Sequence, residues 1–266
     1  MSLIHIISLA VVQGLTEFLP VSSSGHLILF SRFMHLQDQG IGIDIALHLG
    51  SLLAVLIYFW SDISKMAQEV FKSKLIPNFK QQNNRLAWLI IIASIPALLF
   101  GFWLRNCNIH LLREPKFIGF NILFYGLILY AADRFAKKDK ELHQLNLKQA
   151  FLIGLVQCLA LIPGTSRSGI TITMARFLHF NRVDAAKFSM LLSMPVIAGA
   201  SALEAYRLVV SGSSTDIIFA FQSVCFSFVA SYAVIYFMMK WLKHFSFLPF
   251  VLYRVILGML LIFMVF

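Results

Sequence analysis

The apolar positions of this chain fall into long runs separated by short polar stretches. Six of these runs are long enough to cross a bilayer, which takes about 17–25 residues. They cover residues 41–60, 86–104, 117–133, 184–209, 216–240 and 248–266. The pattern therefore predicts an all-α polytopic membrane protein with six transmembrane helices.

Two further apolar segments, 3–35 and 147–179, do not fit a simple span. Each has an apolar run, a proline, a serine-rich loop and then a second apolar run. The second runs, 27–34 and 172–180, are shorter than the roughly 20 residues that a crossing needs. We interpret each segment as a re-entrant helical hairpin, which is tolerated only where its loop is buried in protein or lines a wet cavity.

The two hairpin segments also resemble each other in sequence. VVQGLTEFLPVSSSG (11–25) and LVQCLALIPGTSRSG (155–169) share, in the same order, Val-Gln, a leucine two residues on, a proline and Ser-x-Ser-Gly. Each hairpin precedes three spans, and because three is odd, the second half must enter the membrane from the opposite side. This order predicts one integral membrane domain over 1–266, built as an inverted-topology repeat of the kind common in transporters. Repeat 1 covers 1–135, repeat 2 covers 147–266, and 136–146 is a cytoplasmic linker.

Composition supports the membrane class. Of the 266 residues, 59% are hydrophobic and only 13% are charged, against about 45–50% and 25% in soluble domains. The N-terminal run lacks a basic start and a small-residue cleavage site, so we expect it to be retained rather than cleaved as a signal peptide. Cys107, Cys158 and Cys225 lie scattered in apolar runs, which predicts packing residues rather than a metal site or a disulfide framework.

The net charge of +10 would suggest a nucleic-acid ligand in a soluble protein. Here the basic residues gather in loops, chiefly 61–85 and 134–148, so we predict no nucleic-acid partner and read the charge as an orientation signal. The positive-inside rule places these loops in the cytoplasm. Both termini and the first hairpin then face outward, and the second hairpin enters from the cytoplasm.

The loops of the two hairpins carry polar residues that a lipid-facing segment would avoid. Gln13 and Glu17 lie four apart, on one helix face, just before the first loop. The first loop holds Ser22, Ser23, Ser24, Gly25 and His26, and the second holds Thr165, Ser166, Arg167, Ser168, Gly169 and, a little further on, Thr171. An ionised side chain at this depth is costly, so residues of this kind are functional candidates.

An anionic phosphate is the ligand that this set matches best. Arg167 offers a fixed fork of donors for phosphate oxygens. Gly25 and Gly169 let the backbone turn closely, so that the N–H groups opening the following half-helices point at an anion. The hydroxyls predicted to share in this binding are those of Ser22, Ser24, Thr165, Ser166, Ser168 and Thr171.

The remaining polar groups suggest catalytic roles. Glu17 would repel a phosphate directly, so we predict that it binds a divalent cation or orients a base, with Gln13 as the second candidate ligand. Mg²⁺ keeps several waters and takes one or two carboxylates plus substrate oxygens, which suits so sparse a supply. His26 is the candidate proton shuttle, and Ser23 or a water molecule is the candidate nucleophile. With Arg167, these residues form the predicted catalytic set.

Each of these residues also has a structural alternative. The serines could join helices, and His26 could make only structural hydrogen bonds. Glu17 and Arg167 could form a buried ion pair with each other. Arg254, inside the last span, is either a second phosphate ligand or a side chain that extends to the lipid headgroups. The other polar residues of the spans, predicted to be capping or interface residues, are Asp44, His48 and Asp184.

Two stretches resemble a known family. QGLTEFLPVSSSGH (13–26) and PGTSRSGIT (163–171) are similar to the two signature motifs of the bacitracin-resistance type undecaprenyl-diphosphatases, and the length and span pattern match over the whole chain. The resemblance implies roles for Glu17, Ser23, His26, Ser166, Arg167 and Thr171. The family motif allows Glu or Gln at position 13, and Gln13 leaves this chain with one carboxylate instead of two.

The resemblance also implies an activity and a location. The expected reaction is hydrolysis of the lipid undecaprenyl diphosphate to its monophosphate, which recycles the carrier for peptidoglycan synthesis, with a divalent cation, Mg or Ca. We expect a multi-pass protein of the bacterial plasma (inner) membrane, with a site that opens to the extracytoplasmic side, in contact with membrane lipids and as a monomer or homodimer. The alternative is a transporter or flippase for a phosphorylated polyprenyl lipid or another anion, which the inverted repeat alone would favour.

Overall fold

The computed structural model describes residues 3–34, 41–104, 114–136, 140–211 and 214–263. These residues form eleven α-helices and, within the described ranges, no β-strand. The helices are α1 (Leu3–Glu17), α2 (Ser23–Phe33), α3 (Ile41–Tyr58), α4 (Trp60–Lys72), α5 (Gln82–Leu104), α6 (Pro115–Phe135), α7 (Leu147–Gln157), α8 (Arg167–Phe177), α9 (Arg182–Ser211), α10 (Ser214–Trp241) and α11 (Leu248–Phe263). Cys107, residues 137–139 of the predicted linker and the last three residues of the predicted span 248–266 lie outside the described residues.

Helix length and composition agree with an all-α membrane protein. Among the described residues, α5, α6 and the Ile217–Trp241 part of α10 are long and apolar enough to cross a bilayer. A fourth crossing is added if α3 and α4, which meet at an angle of 79°, count as one broken span. Large apolar side chains also cover the outside of the bundle. Phe102 is 75% exposed and Trp103 is 61% exposed, as expected for surfaces that meet lipid rather than water.

Both predicted helix breaks are present. α1 ends at Glu17 before Pro20, and α7 passes through a short 3₁₀ turn, Cys158–Leu161, before Pro163. The residue just before each following helix, Ser22 or Ser166, has a positive φ, of 78° and 74°. This left-handed conformation is uncommon for residues other than glycine, and its occurrence at matching positions supports the sequence alignment of the two hairpins.

Close helix contacts hold the hairpins inside the bundle. α1 packs on α10, α7 packs on α5, and α3 lies between α9 and α10. At Gly154 on α7, an added Cβ would lie 2.1 Å from the backbone oxygen of Ala93 on α5. Only glycine permits this approach, and small residues at helix contacts are typical of membrane proteins, in which packing replaces the hydrophobic driving force between helices.

A buried ion network joins four helices at the end of the bundle that the charge pattern places in the cytoplasm. The Asp133 carboxylate on α6 accepts hydrogen bonds from Arg176 on α8 (3.1 Å), from Arg182 on α9 (2.8 and 2.9 Å) and from the backbone N–H of Phe247 just before α11 (3.3 Å). The Arg176 side chain is fully buried. The network ties α6 to α8, α9 and the residue before α11.

The sequence also made predictions for Asp184, Cys158 and Cys225 that the structure can check. The Asp184 carboxylate accepts from the backbone N–H of Leu142 and from the side chain of Asn181, which agrees with the predicted role as a capping or interface residue. Cys158 is partly buried, whereas Cys225 is exposed on α10, so a packing role within the chain is wrong for Cys225.

Candidate functional site

The two hairpin loops meet inside the helix bundle. The Ser168 hydroxyl at the start of α8 donates to the backbone oxygen of Leu19 in the first loop, at 2.9 Å. An added Cβ on Gly25 would lie 3.7 Å from the Cα of Gly164 in the second loop. The predicted convergence of the two loops is therefore confirmed, and it brings Glu17 and Arg167 together from positions 150 residues apart.

Glu17 lies at the centre of the polar contacts. One carboxylate oxygen, Oε1, accepts from Arg167 Nη2 at 2.8 Å. The other, Oε2, accepts from the Ser23 hydroxyl at 2.7 Å and from Gln13 Nε2 at 3.0 Å. The carboxylate has about four acceptor positions, so three neighbours leave room for one more. The ion pair with Arg167, one of the alternatives drawn from the sequence, is thus present in the structure.

Arg167 retains donors beyond this pair. Its Nη1 donates to the backbone oxygen of Ser189 on α9 at 2.9 Å, and the guanidinium carbon lies 5.9 Å from the centre of the Phe18 ring. A guanidinium has five N–H donors, and these two bonds use two of them. Since 13% of the side chain is exposed, Arg167 can donate to a ligand without losing both anchors.

His26 makes two hydrogen bonds away from Glu17. Its Nδ1 lies 2.7 Å from the backbone oxygen of Ser22, and its Nε2 lies 2.5 Å from the hydroxyl of Tyr253 on α11. A carbonyl oxygen can only accept, so Nδ1 carries the proton, and in the neutral ring Nε2 accepts from the Tyr253 hydroxyl. Tyr253 is thus a partner of a predicted catalytic residue that the sequence did not indicate.

His48, rather than His26, is the imidazole closest to Glu17 among the described contacts. Its Nε2 lies 3.5 Å from Glu17 Oε2, and its Nδ1 donates to the backbone oxygen of Asp44 at 2.7 Å. The sequence did not indicate this contact with Glu17, and the role of His48 as a capping or interface residue stays a prediction. The missed signal was the one that identified His26, an ionisable side chain within a membrane-spanning run.

Five of the six predicted phosphate-binding hydroxyls, all but that of Ser24, divide into those that bond to protein groups and those that do not. Ser168 and Thr171 are committed to other protein groups, since Thr171 bonds to the Ser189 hydroxyl at 2.7 Å and to the backbone oxygen of Arg167 at 2.8 Å. Ser166 accepts from the backbone N–H of Gly169 at 3.0 Å and so caps α8. Among the described residues, the buried hydroxyls of Ser22 and Thr165 have no hydrogen-bond partner.

The Arg254 side chain on α11 connects the two loops. The side chain is fully buried, so the alternative that it extends to the lipid headgroups is wrong. Its guanidinium donates to five backbone oxygens, those of Pro20, Asn121, Ile122, Gly164 and Thr165. A direct bond to phosphate would require it to release some of these carbonyls.

A cavity of about 280 Å³ opens beside the Glu17–Arg167 pair. One part of its lining is polar and comes from both hairpins and α3: Glu17, Ser23, Ser24, Asp44, His48, Ser166 and Arg167. The other part comes mainly from α5, α7 and α9: Ile45, Ala97, Gln157, Ala160, Leu161, Val196, Ile197 and Ser201. The cavity therefore offers charged groups beside an apolar wall.

The donor set fits a divalent cation only if the substrate completes the site. Within the described residues, no group of three or more His, Cys, Asp and Glu side chains could hold a metal ion. Gln13 does present a buried amide oxygen, Oε1, beside the carboxylate of Glu17, and this oxygen has no hydrogen-bond partner in the part of the chain that the structure describes. One carboxylate and one amide oxygen suit a cation such as Mg²⁺, which takes its other ligands from water and phosphate.

Known proteins match this chain over most or all of its length. Residues 6–260 match the family described as bacitracin resistance protein BacA. A protein named undecaprenyl-diphosphatase from Alteromonas mediterranea is 43% identical over 266 residues, the full length of both chains. Proteins of the same name from Teredinibacter turnerae and Jannaschia sp. are 42% and 43% identical, each over 98% of both chains.

Proposed function

This chain belongs to the bacitracin resistance protein BacA family, and from that premise we propose that it hydrolyses undecaprenyl diphosphate. The products are undecaprenyl phosphate and inorganic phosphate, so the enzyme returns the lipid carrier to peptidoglycan synthesis. The family name itself refers to bacitracin resistance, and we include this resistance in the proposal. The relatives named undecaprenyl-diphosphatase cover the whole chain, which supports the same activity here.

The observation that carries the proposal is the Glu17–Arg167 pair in a cavity whose lining combines polar and apolar side chains. A prenyl diphosphate has the same two parts, a multiply charged headgroup and a hydrocarbon tail. The three remaining donors of Arg167 suit phosphate oxygens, and they act in a site with little water, where charge-assisted bonds are strongest. The apolar side chains of the lining, such as Leu161, Val196 and Ile197, suit the first part of the prenyl chain.

The hydroxyl of Ser23 is placed for activation. It donates to Glu17 Oε2 at 2.7 Å, so the carboxylate can accept the proton as the oxygen attacks phosphorus. The resulting phosphoserine would then be hydrolysed by water, which releases inorganic phosphate and restores the hydroxyl. A water molecule in the position of the Ser23 hydroxyl would instead attack phosphorus directly, and Glu17 would activate it in the same way. In either case Arg167 holds the phosphate and stabilises the charge that shifts onto the bridging oxygen as the bond to the departing undecaprenyl phosphate breaks.

A divalent cation, Mg or Ca, is part of the proposal. Glu17 and the Oε1 of Gln13 would hold it together with water and phosphate oxygens. When bound, the cation would neutralise phosphate charge and act as a Lewis acid. Without it, Glu17 and the diphosphate would repel each other across the cavity.

We also propose the full membrane topology: six transmembrane helices and two re-entrant hairpins in the bacterial plasma membrane. Repeat 1 (1–135) and repeat 2 (147–266), joined by the linker 136–146, would enter the bilayer with opposite orientation. The matching left-handed residues Ser22 and Ser166 support this repeat. The concentration of basic loops on one side supports a site that opens to the extracytoplasmic face. A homodimer is a further part of the proposal, to be checked by size measurement in detergent.

The decisive experiment measures phosphate release from undecaprenyl diphosphate by the purified protein in detergent. We expect release in the presence of Mg²⁺ or Ca²⁺, its loss after thorough chelation, and its return when either ion is added back. If release persists after chelation, the cation role is wrong. If the folded protein releases no phosphate with any divalent cation, the transporter alternative replaces the hydrolase.

A further inference from the structure

Gln157 is a buried amide that the structure leaves without hydrogen bonds. It is the last residue of α7, only 1% of it is exposed, and it lines the cavity that contains Glu17 and Arg167. Among the described residues, neither its Nε2 nor its Oε1 has a hydrogen-bond partner. Buried polar groups are nearly always satisfied, so a pair of unsatisfied atoms on one side chain requires an explanation.

A second polar side chain of the cavity lining, that of Ser201 on α9, is also buried without a hydrogen-bond partner among the described residues. The neighbours of these two residues in the lining, such as Leu161 and Ile197, are apolar. The unsatisfied groups therefore lie in a mainly apolar part of the lining and have no hydrogen-bond partner among the described residues.

The corresponding residues of the two hairpins differ in their hydrogen bonds. Its counterpart in the first hairpin is Gln13, which is equally buried but donates through Nε2 to Glu17 at 3.0 Å. The second hairpin has no carboxylate at the place that corresponds to Glu17, so the amide of Gln157 does not have this partner. Retention of a partnerless amide costs stability unless a ligand satisfies it.

We propose that Gln157 is a substrate-binding residue whose Nε2 donates to a phosphate oxygen of the lipid diphosphate. Its Oε1 accepts from a water molecule that enters with the headgroup, and Ser201 offers a further hydroxyl to the same group. The diphosphate would then be held from two sides, by Arg167 and by Gln157. This inference rests on the proposed hydrolase function and adds a specific contact to it.

The test uses Gln157→Leu, which is close in volume and removes both unsatisfied atoms, and Gln157→Glu, which keeps the acceptor but replaces the donor by a charge that repels phosphate. The matched control is Gln222→Leu, because the Oε1 of Gln222 is also buried without a partner but Gln222 does not line the cavity. Full-length proteins in detergent are compared by thermal melting, by steady-state hydrolysis and by the melting shift that a non-hydrolysable farnesyl methylenediphosphonate causes.

We expect Gln157→Leu to melt at or above the wild-type temperature while its KM rises about tenfold, which corresponds to about 1.4 kcal/mol. The shift caused by the analogue should shrink, Gln157→Glu should bind still more weakly, and Gln222→Leu should keep the wild-type KM. An unchanged KM and analogue shift in Gln157→Leu would overturn the inference, as would a large drop in melting temperature with unchanged KM. If wild-type protein binds the analogue but releases no phosphate, only the hydrolase proposal fails, and the binding comparison still decides the role of Gln157. If it neither binds nor hydrolyses, both proposals fall.

Discussion

Replacement of Arg167 by lysine separates the geometry of its side chain from its charge. The guanidinium bridges two anchors, Glu17 Oε1 at 2.8 Å and the backbone oxygen of Ser189 at 2.9 Å, and keeps three donors for a ligand. The single ammonium group of lysine cannot reach both anchors and also present two parallel donors to a phosphate. Arg167→Lys therefore preserves the ion pair but removes the fork.

The contacts give different magnitudes for folding and for turnover. Arg167→Lys should lose the bond to Ser189, which costs about 0.5–1.5 kcal/mol of folding free energy. Loss of one charge-assisted bond to the reacting phosphate, about 1.5–3 kcal/mol, should slow turnover by about 10- to 100-fold. Arg167→Ala differs because it leaves the Glu17 carboxylate, whose side chain is 5% exposed, without its cation. That loss should destabilise the fold by about 3–5 kcal/mol.

Phosphate release and thermal melting, measured on the same detergent preparations, distinguish these effects. Arg167→Lys should melt close to wild type but turn over slowly. Arg167→Ala should melt early, and addition of Glu17→Gln should restore part of the loss. Arg176→Lys is the matched control, since Arg176 pairs with Asp133 outside the cavity and should change melting more than turnover. Wild-type turnover in Arg167→Lys would refute the role of the fork, and equal losses of turnover in both lysine variants would make Arg167 a structural residue.

Three further predictions concern other parts of the site and fold. Ser23→Ala removes the hydroxyl that donates to Glu17 and should slow phosphate release by at least about 100-fold, and a smaller effect would favour a water nucleophile. Ser24→Cys, in a chain whose native cysteines are replaced by alanine, should react with an impermeant thiol reagent added outside intact cells, because Ser24 is exposed and lines the cavity. Labelling only in inside-out vesicles would instead reverse the proposed topology. Asp133→Ala should lower the free energy of unfolding by about 3–5 kcal/mol, measured by thermal melting, because fully buried Arg176 loses its counter-ion. Wild-type melting would show that the network is dispensable.

The hairpins could be predicted because their signals are local. Pro20 and Pro163 cannot continue a regular helix, and the serines and glycines beside them favour turns. The alignment of the two segments then indicated that the loops are equivalent, and membrane depth indicated that they are buried. Convergence followed from these two points, without knowledge of any side-chain contact.

The contacts inside the site could not be predicted in the same way. His48 reaches Glu17 only because α3 packs against the first hairpin, a tertiary arrangement that periodicity does not specify. The hydrogen bond between His26 and Tyr253 likewise depends on the position of α11, which lies more than 200 residues further along the chain. Both histidines are ionisable residues of apolar segments, so the sequence could mark them as candidates but could not rank them.

Arg254 shows why the broken helices need a residue far from the motifs. Each break frees backbone carbonyls from helical hydrogen bonding, and in a membrane protein these oxygens must find donors within the protein. Pro20, Gly164 and Thr165 supply three such carbonyls, and the single guanidinium of Arg254 donates to all of them. The Arg254 side chain on α11 thus holds both loops and places a positive charge next to them. That charge favours an anion in the cavity even though the donors of Arg254 are already taken. The preference of the site for a diphosphate therefore has two physical sources: the free donors of Arg167 and the charge of an arginine whose own bonds hold the loops in place.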